Sequence, residues 1–262
     1  MRYFDAHCHV QFDAYDTDRA SLLANMKENG VGALIVGTDR THSEKAVALA
    51  DGVTLFASVG LHPNDKPGEG YEADCYESLA RDSNVVAIGE CGLDYFRPDD
   101  PEKEKKRQHD TFAKQIELAG ALHKPLVVHA RPSKGTMDAY EDAYALLREA
   151  KNRFPNLRGD MHFFVGDERI ARLFLELDFT FSFTAVLTFT SDYDDVVRFI
   201  PHTHILSETD APYVAPAPNR GKRNEPHAVR DVVSAIARIR GEDEDSIREA
   251  AVQNARNLFA LP

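Results

Sequence analysis

Eight short runs of β-branched, aliphatic and aromatic residues recur along this chain, and a stretch with helical signals separates each from the next. In order they are RYFDAH (2–7), GALIVGT (32–38), TLFASVG (54–60), NVVAIGE (84–90), PLVVHA (125–130), LRGDMHFF (157–164), FTFSFT (179–184) and THILSETD (203–210). Between them, TDRASLLANMKENG has Thr17 and Ser21 near its start and Gly30 as a stop, and PEKEKKRQHDTFAKQIELAGALH has Pro101 at a helix start. Crossovers this long cannot be hairpins, so the strands run parallel and the helices cover them. Eight such units in 262 residues predict a (β/α)8 TIM barrel, an α/β fold that uses residues 1–262 as a single domain. A doubly wound open sheet is the structural alternative. No linker or low-complexity tract interrupts the alternation.

Composition narrows the function. A formal charge of −12 argues against a broad basic surface for nucleic acid, although a locally basic mouth remains compatible with it. Three cysteines, Cys8, Cys75 and Cys91, contain no CxxC pair and suggest neither a disulfide framework nor a thiolate zinc site. Residues 1–9 lack the apolar core of a signal peptide, and no segment reaches the roughly 18 apolar residues of a membrane span. The expectation is a soluble cytoplasmic protein with no membrane association and no obligate protein partner.

In a barrel the active site forms where the strands end. The metal-capable residues fall there: His7 and His9 at the first run, Glu90 at the fourth, His129 at the fifth, His162 at the sixth and Asp210 at the eighth. Side chains at i and i+2 share a strand face, so His7 and His9 point together into the barrel while Cys8 points outward. Any one strand histidine alone is more simply a packed or surface residue, but six positions falling on one rim are not. Four imidazoles and two carboxylates are too many for one tetrahedral zinc and suit two divalent ions sharing a carboxylate. His42, His109, His123, His202 and His227 sit in predicted helices or connections, and His204 lies at the opposite end of the eighth run; these six read as structural or solvated.

Taken in order, DAHCHV, SVGLHPND, AIGECGLDYF, LVVHARP, MHFFVG, LSETDAPYVAP, GKRNEP and NARNLF resemble the successive motifs of the TatD family of metal-dependent deoxyribonucleases, from residue 5 to residue 259. The resemblance implies an amidohydrolase-type barrel with two divalent cations. It implies His7, His9 and Asp210 as ligands of the first, Glu90 as the bridge, and His129 and His162 as ligands of the second. It also implies phosphodiester hydrolysis, mainly of DNA and often from an end. Val165, Ala185 and the segment 133–144 depart from the family pattern at the edge of the pocket, where they bear on substrate choice.

The chemistry needs a delivered nucleophile and neutralised phosphate charge, which two cations about 3.5–4 Å apart provide. Zn, Mn, Ni or Fe suit such ligands, and Mg is possible. Asp210 is the expected general base and Glu90 the other catalytic carboxylate. Asp5 either orients a ligating imidazole or caps a nearby loop. For substrate, His62 reaches the rim, Arg131 offers a guanidinium fork or a surface ion pair, and Arg220, Lys222 and Arg223 form a cationic loop cluster or a solvated charge run. Tyr95 and Phe96 either stack a terminal base or pack. The leading substrate is a DNA end, and the alternative is a small ester, lactone or amide at the same metals. A noncatalytic barrel would gain nothing from retaining all six ligands.

Overall fold

The computed structural model describes residues 1–64, 70–98 and 100–262. All eight expected strands form: β1 (Tyr3–Cys8), β2 (Val31–Val36), β3 (Leu55–Val59), β4 (Val85–Asp94), β5 (Leu126–Arg131), β6 (Gly159–Met161), β7 (Thr180–Phe183) and β8 (Ile205–Ser207). Nine α-helices among the described residues alternate with them: α1 (Arg19–Glu28), α2 (Arg40–Leu49), α3 (Ala73–Ala80), α4 (Pro101–Leu122), α5 (Asp138–Lys151), α6 (Glu168–Glu176), α7 (Asp194–Phe199), α8 (Val229–Arg240) and α9 (Glu244–Phe259). Pro101 opens α4 behind an Asp100 cap that accepts the Lys103 amide, and Gly30 takes φ +66° two residues beyond α1, as the stop signal required.

The strands form one parallel sheet in the order β1 to β8. The seam between β8 and β1 is bridged just past β8. There Cys8 pairs with Ala211, His9 N–H donates to Ala211 O at 2.8 Å, and Asp210 N–H donates to His7 O at 2.9 Å. The result is a nearly closed barrel, not the open sheet.

The barrel's lower interior is filled by Phe4, Ala6, Leu34, Val36, Phe56, Ala87, Val127 and Leu206, joined by Ala255, Leu258, Phe259 and Leu261 from α9 and the residues after it. Asn254 fixes this plug, its amide donating to the carbonyls of His202 (2.8 Å) and Ile205 (2.9 Å). The NARNLF motif is therefore a bottom closure. The opposite end of the barrel is left open for chemistry. The final residue of SVGLHPND, Asp65, lies outside the described residues. No helix among those described is long and apolar enough to cross a membrane.

Candidate metal centre

Two irregularities in the strands aim the central side chains. On β1, Asp5 pairs with Ala33 and Cys8 with Ile35, so three steps of β1 meet two of β2. The extra residue is a bulge, and it lets Ala6 join the inner core while His7 and His9 also face the axis and Cys8 packs toward the helices. On β4 the same shift falls between Ile88 and Cys91. Gly89 and Gly92 supply it, with φ of +146° and +137°. A Cβ on Gly92 would collide with the His129 carbonyl, so only glycine lets β4 lie this close to β5.

Glu90 is therefore not at the end of its strand, as its sequence run suggested, but mid-strand and inward. Its two oxygens look in different directions. Oε2 lies 3.5 Å from His7 Nε2 and 3.9 Å from His9 Nε2; Oε1 lies 3.0 Å from His129 Nδ1, 3.5 Å from His162 Nε2 and 3.3 Å from His62 Nε2. Asp210, at φ +53° beyond β8, places Oδ1 3.5 Å from His9 Nε2 and 3.9 Å from His7 Nε2. A left-handed conformation is uncommon for a side-chain-bearing residue and is tolerated best by Asp and Asn. The six residues expected from the strand ends thus meet around one point.

The outer ring nitrogens show which lone pairs are free for a cation. His9 Nδ1–H donates to Val36 O at 2.9 Å, and His162 Nδ1 lies 3.0 Å from Glu208 Oε1. Nδ1 of His129 faces Glu90, so its Nε2–H donates to Asp94 Oδ2 at 3.2 Å. A histidine tied this way would, once a cation replaces the inner proton, present its other nitrogen as a lone pair fixed in orientation, the arrangement typical of metal ligands. His62 is the opposite case. Its Nδ1 accepts the Asn64 amide at 3.0 Å, which puts the ring proton on Nε2 and makes His62 a donor into the centre.

His62, Glu90 and His129 also have ligand-capable atoms within 4.8 Å of one another, as do His7, His162 and Glu208. In the second group the Glu208 oxygens are already engaged by His162, the Phe163 amide (2.8 Å) and Ser182 Oγ (2.6 Å).

Charge matches this geometry. Burial alone would raise Glu90, but His62, His162 and His7, with the bond from His129, hold its carboxyl well below the ordinary range. Burial works to lower His162, yet Glu208 and Glu90 push it up to about 10. Asp210 is also lowered, its burial outweighed by the bond from His9 and the neighbouring imidazoles. A buried carboxylate held ionised beside an imidazolium is a site in which a divalent cation can replace protons. The mixed nitrogen and oxygen donors fit such an ion.

Beneath His162, Ser182 Oγ lies 2.5 Å from Asp160 Oδ2 and 2.6 Å from Glu208 Oε2. One hydroxyl proton cannot serve two ionised carboxylates, so one carboxyl must bring its own. Burial, then the Glu208 charge, raises Asp160 to about 7. An acid whose proton is held more tightly in the folded chain loses stability as pH climbs from its unfolded value toward its folded one. Asp160→Asn, which donates permanently to Ser182, should match wild type near pH 4 and exceed it by up to about 4 kcal/mol above pH 7. Denaturant unfolding at pH 4 and pH 8 measures this, and equal stability at pH 8 would contradict it.

The other expected residues divide. Asp5 takes the capping role: its carboxylate accepts from Thr209 N–H and Oγ and from the His7 amide, not from an imidazole ring. Tyr95 packs, buried, with its hydroxyl on His109 Nε2 (2.6 Å) and Asp142 (3.0 Å). Phe96 is half-exposed and lies under the exposed Arg131, 4.0 Å from guanidinium carbon to ring centroid.

The loop cluster does not act as one. Arg223 is spent on Asp18 and Glu225 and covers Tyr15, whereas Arg220 stacks on Phe189 at 4.0 Å and Lys222 is exposed. His42 bonds Asp39 at 2.6 Å, His123 caps α4 in a left-handed conformation, His204 bonds Asp178 at 3.3 Å, and His202 and His227 face Glu242 and Glu225. None of these, nor His109, joins the cluster. Val165 bonds Tyr140 through its amide, Ala185 is buried after β7, and 133–144 is a turn followed by the start of α5.

Three further residues stand at or behind the mouth. Asp94 lies two and four residues beyond Gly92 and Glu90 on one strand face, and Glu208 lies two before Asp210. Tyr213 is 54% exposed, with its amide on Asp210 O at 2.8 Å. Two glutamines one heptad apart on α4 hold this edge. Gln108 bonds both backbone groups of Asp94 (2.7 and 2.9 Å), and Gln115 bonds both of Leu61 (2.8 and 2.9 Å), next to His62.

A parallel eight-stranded barrel with histidines and carboxylates gathered at its C-terminal mouth is the framework of a metal-dependent hydrolase. The family model of the TatD related DNases matches residues 4–260, and the chain belongs to the TatD family. It is 34% identical to the uncharacterized metal-dependent hydrolase YcfH of Escherichia coli K12 over 100% of this chain and 97% of that protein. It is also 34% identical to the uncharacterized metal-dependent hydrolase YabD of Bacillus subtilis 168 over 98% and 99% of the two chains. The crystal structure of YjjV, a TatD homologue of Escherichia coli K12, superimposes with a TM-score of 0.86 at 27% identity, covering 100% of this chain and 99% of that one.

Proposed function

We propose that residues 1–262 act as one domain that hydrolyses phosphodiester bonds of DNA, working from an end in a reducing, cytoplasmic compartment. The observation that carries the catalytic part is the Glu90 carboxylate, whose two oxygens face separate nitrogen sets. In this reading His7, His9 and Asp210 would hold one divalent cation, His129 and His162 would hold a second, and Glu90 would serve both. The family description as DNase supports the substrate.

The cations supply an activated water and neutralise phosphate charge. The chain's own groups do the rest. Asp210, ionised and at the open side of the cluster, takes the proton of the attacking water. His62 Nε2–H donates to a phosphate oxygen. Asp94 and Glu208 keep His129 and His162 oriented, and the exposed Tyr213 ring offers a face to the terminal base. A small ester, lactone or amide is the second reading. The charge of −12 and the neutralisation of Arg223 favour it, since both weaken attraction of a polyanion.

Protein incubated with Mn or Zn and then desalted is expected to hold close to two ions per chain by elemental analysis. It should also shorten end-labelled single-stranded or duplex DNA faster than it cleaves a lactone supplied at equal concentration. Absence of bound metal in repeated preparations would overturn the metal assignment. Hydrolysis of the lactone with DNA left intact would overturn the substrate.

A further inference from the structure

Past the metal centre, the ends of β4 and β5 carry two guanidinium groups on one aromatic ring. Arg131 lies 4.0 Å and Arg97 4.7 Å from the Phe96 centroid, and both arginines are exposed. Among the described residues neither guanidinium has a hydrogen bond or an ion pair within 4 Å, and Arg131 acts on Asp94 only at longer range, in contrast to Arg107 nearby, which bonds Glu104 at 2.9 Å. Two exposed cations held at one ring make the local potential positive, and an anion that reaches their N–H groups is attracted by both.

The group is not loose. The Phe96 amide donates to Asp94 Oδ1 at 3.0 Å, and Asp94 holds His129 through its other oxygen. The Tyr95 amide donates to Arg131 O at 2.8 Å, and Arg131 follows His129 by two residues on the inward strand face. The stack is thereby locked to the same two strand ends that aim Glu90 and His129.

Resting on the phosphodiesterase reading above, we infer that Arg97 and Arg131, stacked on Phe96, bind a second phosphate adjacent to the one being cleaved, so the preferred substrates are nucleotide chains carrying at least two phosphates. The second phosphate is either a terminal phosphate or the next internucleotide linkage. A guanidinium seated over a ring still has N–H donors to offer two phosphate oxygens, a fork that a lysine in its place cannot match. These are positioning residues: they touch a part of the substrate that does not react.

The test uses the metal-loaded enzyme and four thymidine oligonucleotides: a dinucleotide without terminal phosphate, the same with a 5′-phosphate, the same with a 3′-phosphate, and a trinucleotide without terminal phosphate. Wild type is expected to show kcat/KM at least about tenfold higher for the substrates with a second phosphate, mainly through KM, as one charge-assisted contact would give. The two phosphorylated dinucleotides and the trinucleotide show which source is used.

Arg97→Ala and Arg131→Ala should bring that ratio close to one through KM. Arg97→Lys and Arg131→Lys, which keep charge and fold, should fall between. A ratio unchanged in all four variants, with DNA still cleaved, overturns this inference and leaves the proposed function standing. A wild type that cleaves none of the four while hydrolysing a lactone overturns the proposed function, and this inference falls with it.

Discussion

Glu90→Gln is expected to reduce turnover by at least about 10²–10³-fold, the loss typical when one preorganised charge contact is removed from a reacting centre, and to lower bound metal from two ions to one or fewer. The glutamine has the size of glutamate but offers one oxygen instead of two and no charge, so it cannot face both nitrogen sets. Its effect follows from the position of Oε1 and Oε2 between His129 and His7, so Glu90→Ala should behave alike. Circular dichroism and elemental analysis separate loss of the bridge from loss of the fold. Turnover near wild type with two ions retained would remove Glu90 from the centre.

The control must be chosen with care. His109 lies on α4 and looks solvated in the sequence, yet it holds the Tyr95 hydroxyl and would perturb the strand end beside Asp94. Val53→Ala, at a residue 67% exposed, is the suitable unchanged variant.

The barrel was legible because each strand is a short apolar-rich run and some crossovers carry their own start or stop, as Gly30 and Pro101 show. The clustering of the six side chains was legible for a related reason: a histidine or carboxylate inside or just beyond an apolar run has few structural uses. Strand periodicity was applied to His7 and His9 but not continued to Asp94 and Glu208, which the same rule would have placed inward.

What no periodicity contains is the bulge. At β1 one extra residue resets the alternation, so Ala6 and His7 both face in, and the sequence carries no mark of that step. Partner choice was equally hidden. Arg223 reads as a free cation in the sequence, but Asp18, distant in sequence, lies 2.6 Å from it. The tautomer of His62, which decides between donor and ligand, depends on one backbone amide, that of Asn64.

The role of Glu208 leads to an expected outcome of a different kind. The Glu208 carboxylate accepts from His162 Nδ1, the Phe163 amide and Ser182, so it fixes both the orientation and the protonation of the imidazole proposed as a ligand without itself facing the open centre. Carboxylates in this position typically contribute a factor of about 10–100 in metal affinity or activity. Glu208→Gln retains one acceptor oxygen and loses the charge that, with Glu90, raises His162. The imidazole then becomes a weaker and less rigidly aimed donor. Metal titrations should show the half-activation concentration of Mn or Zn rising by about that factor, with turnover largely restored once the ion is in excess. Glu90→Gln, by contrast, should stay inactive at any metal concentration, because no excess of ion replaces a missing bridge. A Glu208→Gln enzyme with unaltered metal dependence would show that His162 does not rely on Glu208. One with depressed turnover at saturating metal would place Glu208 in the chemistry itself.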